Sequence, residues 1–307
     1  MSNVQAPRLE VRCLPLIHRH KLMHARSRRG GRRYVIALCA ILLGSVAGHA
    51  AADGLASLDA APGVRPDLAP GYLAKDAAPS SLALLPPPPA WGSSAFALDQ
   101  AISRASLALR NSERWQLAVE DANLQFPAAA GTFSCALNAP ISEQETPVLY
   151  RLLRRTLSDA GLATSTAKDR YQRRRPFLSN YAPICTPGLE KALMTDGSYP
   201  SGHTTIGWTW ALILTEIAPE RLDAIIARGR AFGESRIVCN AHWASDVDAG
   251  RYLGMVVTAR LHADPAFMAD LNAAKEELTA MRGRTLPPTR DCLAESAAMA
   301  VQIPASP

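Results

Sequence analysis

The sequence has 307 residues, of which 48% are hydrophobic and 20% charged, a composition typical of globular proteins and not of disordered chains. Its net charge of +6 arises at the N-terminus, because residues 1–50 carry nine Lys or Arg and one acid. The remaining residues carry 24 basic and 26 acidic side chains, a net charge of −2, which argues against a nucleic-acid-binding protein.

Residues 1–50 have the pattern of a signal peptide. An arginine-rich segment (26–33) precedes an apolar run (34–46), and small residues follow near position 50. The run is too short for a typical membrane span, so we predict cleavage near residue 50, a periplasmic location and no membrane segment afterwards. An uncleaved anchor, twin-arginine export and a start at Met23 stay open as alternatives.

Residues 51–93 are rich in Ala, Pro, Gly and Ser, which predicts a tether or a loosely docked arm. From Ser94 onward apolar residues recur at helical spacing, with no strand-like alternation and no repeat. We therefore predict an all-α, single-domain helical bundle over 94–283, followed by a frayed Pro/Ala-rich C-terminal tail over 284–307.

Helix boundaries follow from the apolar spacing and from capping residues. The first helix is predicted to use Leu98, Ile102, Ala105 and Leu109 as its core face. Further helices are predicted around Trp115, from a capping box at Ser142 and Glu145 to Gly161, over 203–217, after Pro219, through Val247 and Val257, and after Pro265.

Basic residues suited to phosphate lie in two segments. Lys168 and Arg175 are seven residues apart, so they would project toward one point if the segment is helical, and Arg236 adds a third cation. A guanidinium matches the geometry of phosphate oxygens, whereas lysine supplies a compact charge. The neighbouring Arg170, Arg173 and Arg174 are predicted to form a solvated basic face.

Two further segments carry hydroxyl, glycine, histidine and carboxylate groups. Pro200-Ser201-Gly202-His203 lies where a loop enters a helix, and the free N–H groups of a helix start attract anions. His242 and Asp246 are four residues apart and would share a helical face, where the carboxylate would fix the tautomer of the imidazole and leave its other nitrogen as a nucleophile. Taken alone, each segment also fits a plain helix cap or a surface ion pair.

Four cysteines follow the signal peptide: Cys135, Cys185, Cys239 and Cys292. An even number in an exported chain predicts two disulfides, for which three connectivities exist. We favour Cys185–Cys239, because both residues flank the segments just described. No cysteine or histidine spacing of a zinc site is present, and no metal is predicted.

In order, the segments read K-x6-RP, PSGH and SR-x5-H-x3-D. This pattern resembles the phosphatidic acid phosphatase type 2 superfamily, which includes the vanadium haloperoxidases, and all eleven signature residues are present. The flanking sequences, Ala167–Tyr171, Gly197–Trp208 and His242–Asp248, are similar to those of the bacterial class A non-specific acid phosphatases. The resemblance extends from about Ala95 to about Leu278.

The resemblance implies an all-helical fold, no metal or other cofactor, and hydrolysis of a broad range of phosphate monoesters such as nucleotides, sugar phosphates and aryl phosphates. His242 resembles the nucleophile that forms a phosphohistidine, Asp246 its orienting partner, and His203 the general acid. The residues that resemble the phosphate-binding set are Lys168, Arg175, Ser201, Gly202 and Arg236. A homo-oligomer is also implied. Because an alcohol or nucleoside could intercept the phosphohistidine in place of water, we also predict weak phosphotransferase activity.

Two other functions fit the same residues. A vanadate-dependent haloperoxidase would use them to hold vanadate, with His242 as its ligand, and a non-catalytic descendant would bind phosphate without turnover. A lipid phosphatase of the superfamily would need several membrane spans, and no apolar run after residue 50 approaches ~20 residues.

Overall fold

The computed structural model describes residues 68–281, 284 and 286–303, all of which belong to one unit of the chain, Asp53–Pro307. The predicted signal peptide, the first part of the arm and the last four residues lie outside the described residues. The described part contains helices and loops without a β-strand, which confirms the all-α prediction.

The α-helices are α1 (Ser81–Leu84), α2 (Ser94–Ser106), α3 (Glu113–Asp121), α4 (Ser134–Leu137), α5 (Pro147–Ala163), α6 (Ser165–Tyr171), α7 (Pro176–Asn180), α8 (Glu190–Thr195), α9 (Gly202–Ile217), α10 (Leu222–Val238), α11 (Ala244–Leu261), α12 (Pro265–Met281) and α13 (Cys292–Ala300). Short 3-10 helices occupy Lys75–Ala77, Leu107–Leu109, Ala130–Phe133, Pro187–Leu189 and Pro219–Arg221.

Helix α9 lies at the centre and packs against α5, α10, α11 and α12. It is apolar on nearly all sides, as expected of a helix surrounded by others, and Trp210 at its middle is fully buried. Close approach requires glycine at two contacts: a Cβ on Gly207 would lie 2.2 Å from Phe232 of α10, and one on Gly250 of α11 would lie 2.7 Å from the carbonyl oxygen of Ser201. Glycine therefore lets α9 pack closely against the Phe232 ring of α10 and against the backbone of α11.

The start of α5 differs from the predicted capping box. The helix begins at Pro147, and the Ser142 hydroxyl instead accepts the Glu145 N–H in a preceding turn. The free N–H groups of Val148 and Leu149 donate to the Glu277 carboxylate of α12, each at 2.9 Å. The cap comes from a distant helix, so local spacing could not reveal it.

The buried face of α2 also differs from the predicted one. Leu98, predicted as a core residue, is 54% exposed, whereas Asp99 and Ser103 are buried. A hydrophobic period cannot identify a helix face whose buried side chains are polar. This face turns toward the polar site described below.

The described part of the arm, residues 68–93, is docked against the helices. The N–H groups of Tyr72 and Leu73 donate to the Asp159 carboxylate of α5 at 2.9 Å, and the Arg155 guanidinium lies 3.6 Å from the centre of the Tyr72 ring. Farther along, the Pro86 carbonyl accepts the Tyr199 hydroxyl at 2.8 Å. This part of the arm is held by specific polar contacts.

The prediction of a frayed C-terminal tail is wrong for residues 292–300, because they form α13 and pack on α3. The disulfide Cys135–Cys292 joins this helix to α4, and Glu295 is buried beside Arg228 of α10, with 3.1 Å between the carboxylate and the guanidinium Nε. The second disulfide is Cys185–Cys239, as favoured from the sequence.

Candidate active site

His242 lies in the turn between α10 and α11, and is not on the helix with Asp246 as predicted. Its backbone N–H donates to the Arg236 carbonyl at 3.2 Å, and Asn240 in the same turn has a φ of 61°. The turn brings the His242 Nδ1 to 3.4 Å from Asp246 Oδ2 in the first turn of α11. The predicted partnership is present, although its geometry comes from a turn.

The Asp246 carboxylate is fully buried and surrounded by donors. The Trp243 N–H donates to it at 2.9 Å, and the Ser198 hydroxyl donates to the same oxygen. Burial raises the pKa of Asp246, an effect that Arg173 and these two donors oppose. Ser198 Oγ also lies 3.5 Å from His242 Nδ1, so this hydroxyl helps to hold both groups.

The tautomer of His242 follows from its partners. Its Nε2 lies 3.0 Å from Arg175 Nη1, and a guanidinium can only donate, so Nε2 accepts and the proton of the neutral ring resides on Nδ1, facing Asp246. Burial, followed by Arg175, Lys168 and Arg236, holds the pKa of His242 well below its usual value. The ring is therefore neutral, with the lone pair of Nε2 directed at the cations.

Arg175 and Lys168 meet at a carboxylate, but not on one helix as the spacing suggested. Helix α6 ends at Tyr171, and Arg175 lies at the N-terminal cap of α7. Asp196 Oδ2 accepts from Lys168 Nζ at 2.8 Å and from Arg175 Nη2 at 2.7 Å. Burial, with Arg175 nearby, lowers the pKa of Lys168 to about 8.

Arg236 is the third predicted cation, and its side chain is buried. Among the described residues its Nε and Nη1 have no hydrogen-bond partner. Burial and the neighbouring Arg175 lower its pKa to about 9. A buried guanidinium with unused donors is a binding element for an anion.

The start of α9 is formed as predicted. Ser201 caps the helix by accepting the Thr204 N–H at 3.3 Å and the Thr204 hydroxyl at 2.9 Å, and Gly202 is the first helical residue. The helix dipole and the free N–H groups at this end favour an anion.

His203, in the first turn of α9, accompanies these groups. Its Nε2 lies 3.1 Å from the Ala122 carbonyl oxygen, which can only accept, so Nε2 carries a proton and Nδ1 is the atom left to exchange one. Burial, followed by Arg236, holds the pKa of His203 well below its usual value.

Arg173 was predicted to lie on a solvated basic face with Arg170 and Arg174, and for Arg173 this prediction is wrong. Arg170 and Arg174 are exposed as expected. The side chain of Arg173 is 7% exposed and bonds to Asp246 Oδ1, to Asp99 Oδ2 at 2.8 Å and to Ser245 Oγ at 2.8 Å. Sequence analysis missed it because Asp99 lies 74 residues away. Asp196 and Ser198 were also missed, although both lie within four residues of the PSGH segment.

The described residues contain neither a candidate metal-binding cluster nor a helix that could span a membrane. Over 68–281 and 286–303, no group of three or more His, Cys, Asp or Glu is arranged to hold a metal ion. No helix in the same part of the chain is long and apolar enough to cross a membrane.

Known proteins share this sequence pattern. The model of the PAP2 superfamily matches residues 151–267, which span Lys168 to Asp246. The non-specific acid phosphatase of Providencia stuartii is 45% identical over 219 residues, covering 71% of this chain and 88% of that protein. That of Salmonella typhimurium is 43% identical over 195 residues (63% and 78%), and the acid phosphatase of Zymomonas mobilis is 41% identical over 201 residues (66% and 76%). This chain therefore belongs to the PAP2 superfamily, as a bacterial class A acid phosphatase and hence a phosphoric monoester hydrolase.

Proposed function

We propose that the enzyme hydrolyses a broad range of phosphate monoesters through a phosphohistidine on Nε2 of His242. The observation that carries this proposal is the orientation of the ring: Nδ1 faces Asp246, while Nε2 lies 3.0 Å from Arg175. A nucleophile must be neutral and directed at the site where phosphate binds, and both conditions hold for Nε2.

The phosphate site is formed by the side chains of Lys168, Arg175 and Arg236 together with the N-terminus of α9 at Ser201 and Gly202. Lys168 and Arg175 share one carboxylate, that of Asp196, and Nε and Nη1 of Arg236 have no partner among the described residues, so the three cations carry positive charge in excess of the carboxylate they bind. A phosphate monoester carries nearly two negative charges near neutral pH, so it offsets this excess. Buried, preorganised cations stabilise charge as it spreads over the phosphoryl oxygens in the transition state.

In the first step Nε2 of His242 attacks phosphorus as the bond to the leaving oxygen breaks. His203 donates its Nδ1 proton to that oxygen, a contribution typically worth ~10²–10⁴-fold. In the second step water attacks the phosphohistidine, His203 accepts the proton from water, and inorganic phosphate is released. His242 then regains its neutral Nδ1–H form.

His203 needs a proton, although its pKa is lowered in the phosphate-free site. Arg236, the second cause of that shift, would be neutralised by a bound phosphate dianion, which restores the affinity of His203 for a proton. Binding of the substrate therefore favours the protonated form of His203, the general acid. We expect a bell-shaped pH profile for kcat/KM with its maximum on the acid side of neutrality: the acid limb reflects protonation of the His242–Asp246 pair, and the basic limb reflects loss of the proton from His203.

Two finer parts of the proposal follow from the same site. Because the proposed binding contacts are all to the phosphoryl group, nucleotides, sugar phosphates and aryl phosphates are proposed as substrates. An alcohol could replace water in the second step, giving weak phosphotransferase activity. A periplasmic location and a homo-oligomer remain predictions from the sequence.

The test is hydrolysis of p-nitrophenyl phosphate at pH 5–6 with EDTA present, comparing the wild type with His242→Ala. We expect turnover that survives EDTA and is lost in the variant, with a phosphoenzyme trapped from the wild type alone. His262→Ala is the matched control, since His262 is the one other histidine after residue 50 and binds Glu216 at 2.8 Å.

Full activity in His242→Ala would remove the nucleophile assignment. Binding of phosphate without turnover in the wild type would favour the non-catalytic alternative. Bromide oxidation by peroxide after vanadate is added would instead support the haloperoxidase alternative.

A further inference from the structure

Asp196 occupies part of the proposed phosphate site. One of its oxygens, Oδ2, accepts from both Lys168 and Arg175, at 2.8 and 2.7 Å. A phosphate oxygen is the same kind of acceptor and needs the same donors. The side chain of Arg175 is 1% exposed and that of Lys168 11%, whereas that of Asp196 is 30% exposed. The carboxylate thus enters from the surface and binds two buried cations.

We propose that Asp196 is an internal competitor of phosphate, which must leave Lys168 and Arg175 before substrate or product binds and so sets the affinity of the site. The proposal rests on the phosphate site proposed above and adds a residue that weakens binding to it.

The segment that carries Asp196 has few other attachments to the protein body. Helix α8, which precedes it, has no buried residue. Arg175 Nε donates to the carbonyl oxygens of Leu193 and Asp196, both at 3.0 Å, so the same cation holds the segment in place. A ligand that engages Arg175 therefore loosens the contacts that keep Asp196 over the site.

The side chain of Asp196 has space to move, although the backbone that follows it does not. A Cβ on Gly197 would lie 2.8 Å from the Lys168 carbonyl oxygen, so the chain is packed tightly there. A cavity of about 310 Å³ is lined in part by Arg174, Met194 and Asp196 itself. The carboxylate has room to turn outward, where the exposed Arg174 offers it a new partner.

Phosphate can displace the carboxylate because it gains more from the site. It carries more oxygens and more charge, and it can also use the unpartnered Nε and Nη1 of Arg236. The apparent dissociation constant of any such ligand is its intrinsic value divided by the fraction of molecules in which Asp196 has left. Removing the carboxylate charge should therefore strengthen the binding of every tetrahedral oxyanion to the site by the same factor.

The experiment measures the inhibition constant (Ki) of inorganic phosphate, as a competitive inhibitor of p-nitrophenyl phosphate hydrolysis, in the wild type and in Asp196→Asn. The asparagine has the same shape but no charge. We expect Ki to fall by about threefold or more, with the Ki of sulfate falling by the same factor. Asp196→Ala repeats the test without an amide that could bond to Lys168.

Two further variants separate the explanations. Asp223→Asn removes an equal charge from an exposed residue at the start of α10, about 20 Å along that helix from Arg236, and should leave Ki unchanged. Lys168→Met should raise Ki, and an unchanged value there would contradict the proposed phosphate site itself. If Lys168→Met behaves as expected while Ki in both Asp196 variants falls less than threefold or rises, the role of Asp196 alone is overturned.

Discussion

Ser235 and Arg236 are adjacent on α10, yet they belong to two buried polar groups of opposite character. Ser235 donates to Asp121 at 2.6 Å and accepts from Arg114 at 2.8 Å, and Asp121 also pairs with Arg228. Arg228 reaches Glu295 as well. Arg236, one residue farther on, lies near the cation of Arg175, and two of its nitrogens have no partner in the described part of the chain.

The pKa values of the two arginines express this difference. Burial lowers the pKa of both, but Asp121 and Glu295 more than offset it for Arg228, whose pKa is raised overall. For Arg236, burial and the cation of Arg175 act together and lower the pKa to about 9. Removing one member of a balanced group of buried charges destabilises the fold, whereas an unbalanced group of buried cations can bind an anion.

The sharpest test of the balanced group is Arg228→Met, which leaves the carboxylates of Asp121 and Glu295 buried without this partner. We expect the free energy of unfolding to fall by about 3–5 kcal/mol, as is usual when one partner of a buried ion pair is removed. Urea denaturation measures the loss. Arg230→Met on the same helix is the control, since that side chain is 61% exposed. A stability equal to that of the wild type would mean that the group is not structural.

Substitution of Arg236, in the unbalanced group, should lower activity without lowering stability. Arg236→Met should lower kcat/KM by ~10²–10³-fold, because it removes donors directed at the developing charge. The free energy of unfolding should stay the same or rise, since an unpaired buried cation disappears. Steady-state kinetics and urea denaturation on one preparation measure both quantities. Retained activity together with a loss of stability would reverse the assignment of the two arginines.

Arg173 is the intermediate case, because it is paired with carboxylates but one of them is the partner of the nucleophile. Arg173→Gln should lower kcat on the order of 10- to 100-fold through misplacement of Asp246 and His242. Loss of the cation also raises the pKa of Asp246, so the acid limb of the pH profile should move to higher pH.

The pH profile separates this positioning role from a loss of stability. Arg173→Lys should restore part of kcat and return the acid limb toward that of the wild type. Arg174→Gln, which changes the exposed neighbour, should leave both unchanged. An unmoved acid limb in Arg173→Gln would show that Arg173 acts on the fold alone.

The smallest expected effect concerns stability in acid. The pKa values of His203 and His242 are lowered in the folded protein, so the unfolded chain binds their protons first and stability falls as the pH drops below about 6.5. We expect His203→Gln to remove about 1–2 kcal/mol of the loss seen between pH 7 and pH 5. Denaturation at both pH values checks this, and an identical loss in the variant would contradict it.

Local sequence patterns predicted those features whose partners are close in the chain. The cap of α9 at Ser201 and the apolar face of α9 agree with the structure. The disulfide Cys185–Cys239 also agrees, but its cysteines are 54 residues apart and it was favoured because both flank the signature segments. At the cap of α9 the chemistry of a few consecutive residues determines the local conformation. The signature residues extend over several elements, from α6 to α11, and were identified by their resemblance to a known superfamily.

Features that depend on distant partners could not be predicted. Arg173 was grouped with Arg170 and Arg174, since adjacent arginines look alike until Asp99 and Asp246 are brought beside one of them. Leu98 was assigned to the core because it is apolar and lies at helical spacing. The buried face of α2 instead carries polar side chains such as Asp99 and Ser103. Spacing identifies apolar faces and caps, but it carries no information on which buried polar groups will meet.

The position of α13 has a consequence for the order in which the protein can assemble. Cys292 and Glu295 lie late in the sequence, but their partners, Cys135 and Arg228, lie well before them. Cys135 therefore cannot form its disulfide until 157 further residues have been synthesised. Arg228 likewise lacks one of its carboxylates until residue 295 has been synthesised. In a chain that emerges from a ribosome or a membrane channel N-terminus first, the Cys135–Cys292 disulfide and the Arg228–Glu295 pair can therefore form only after α13 has followed.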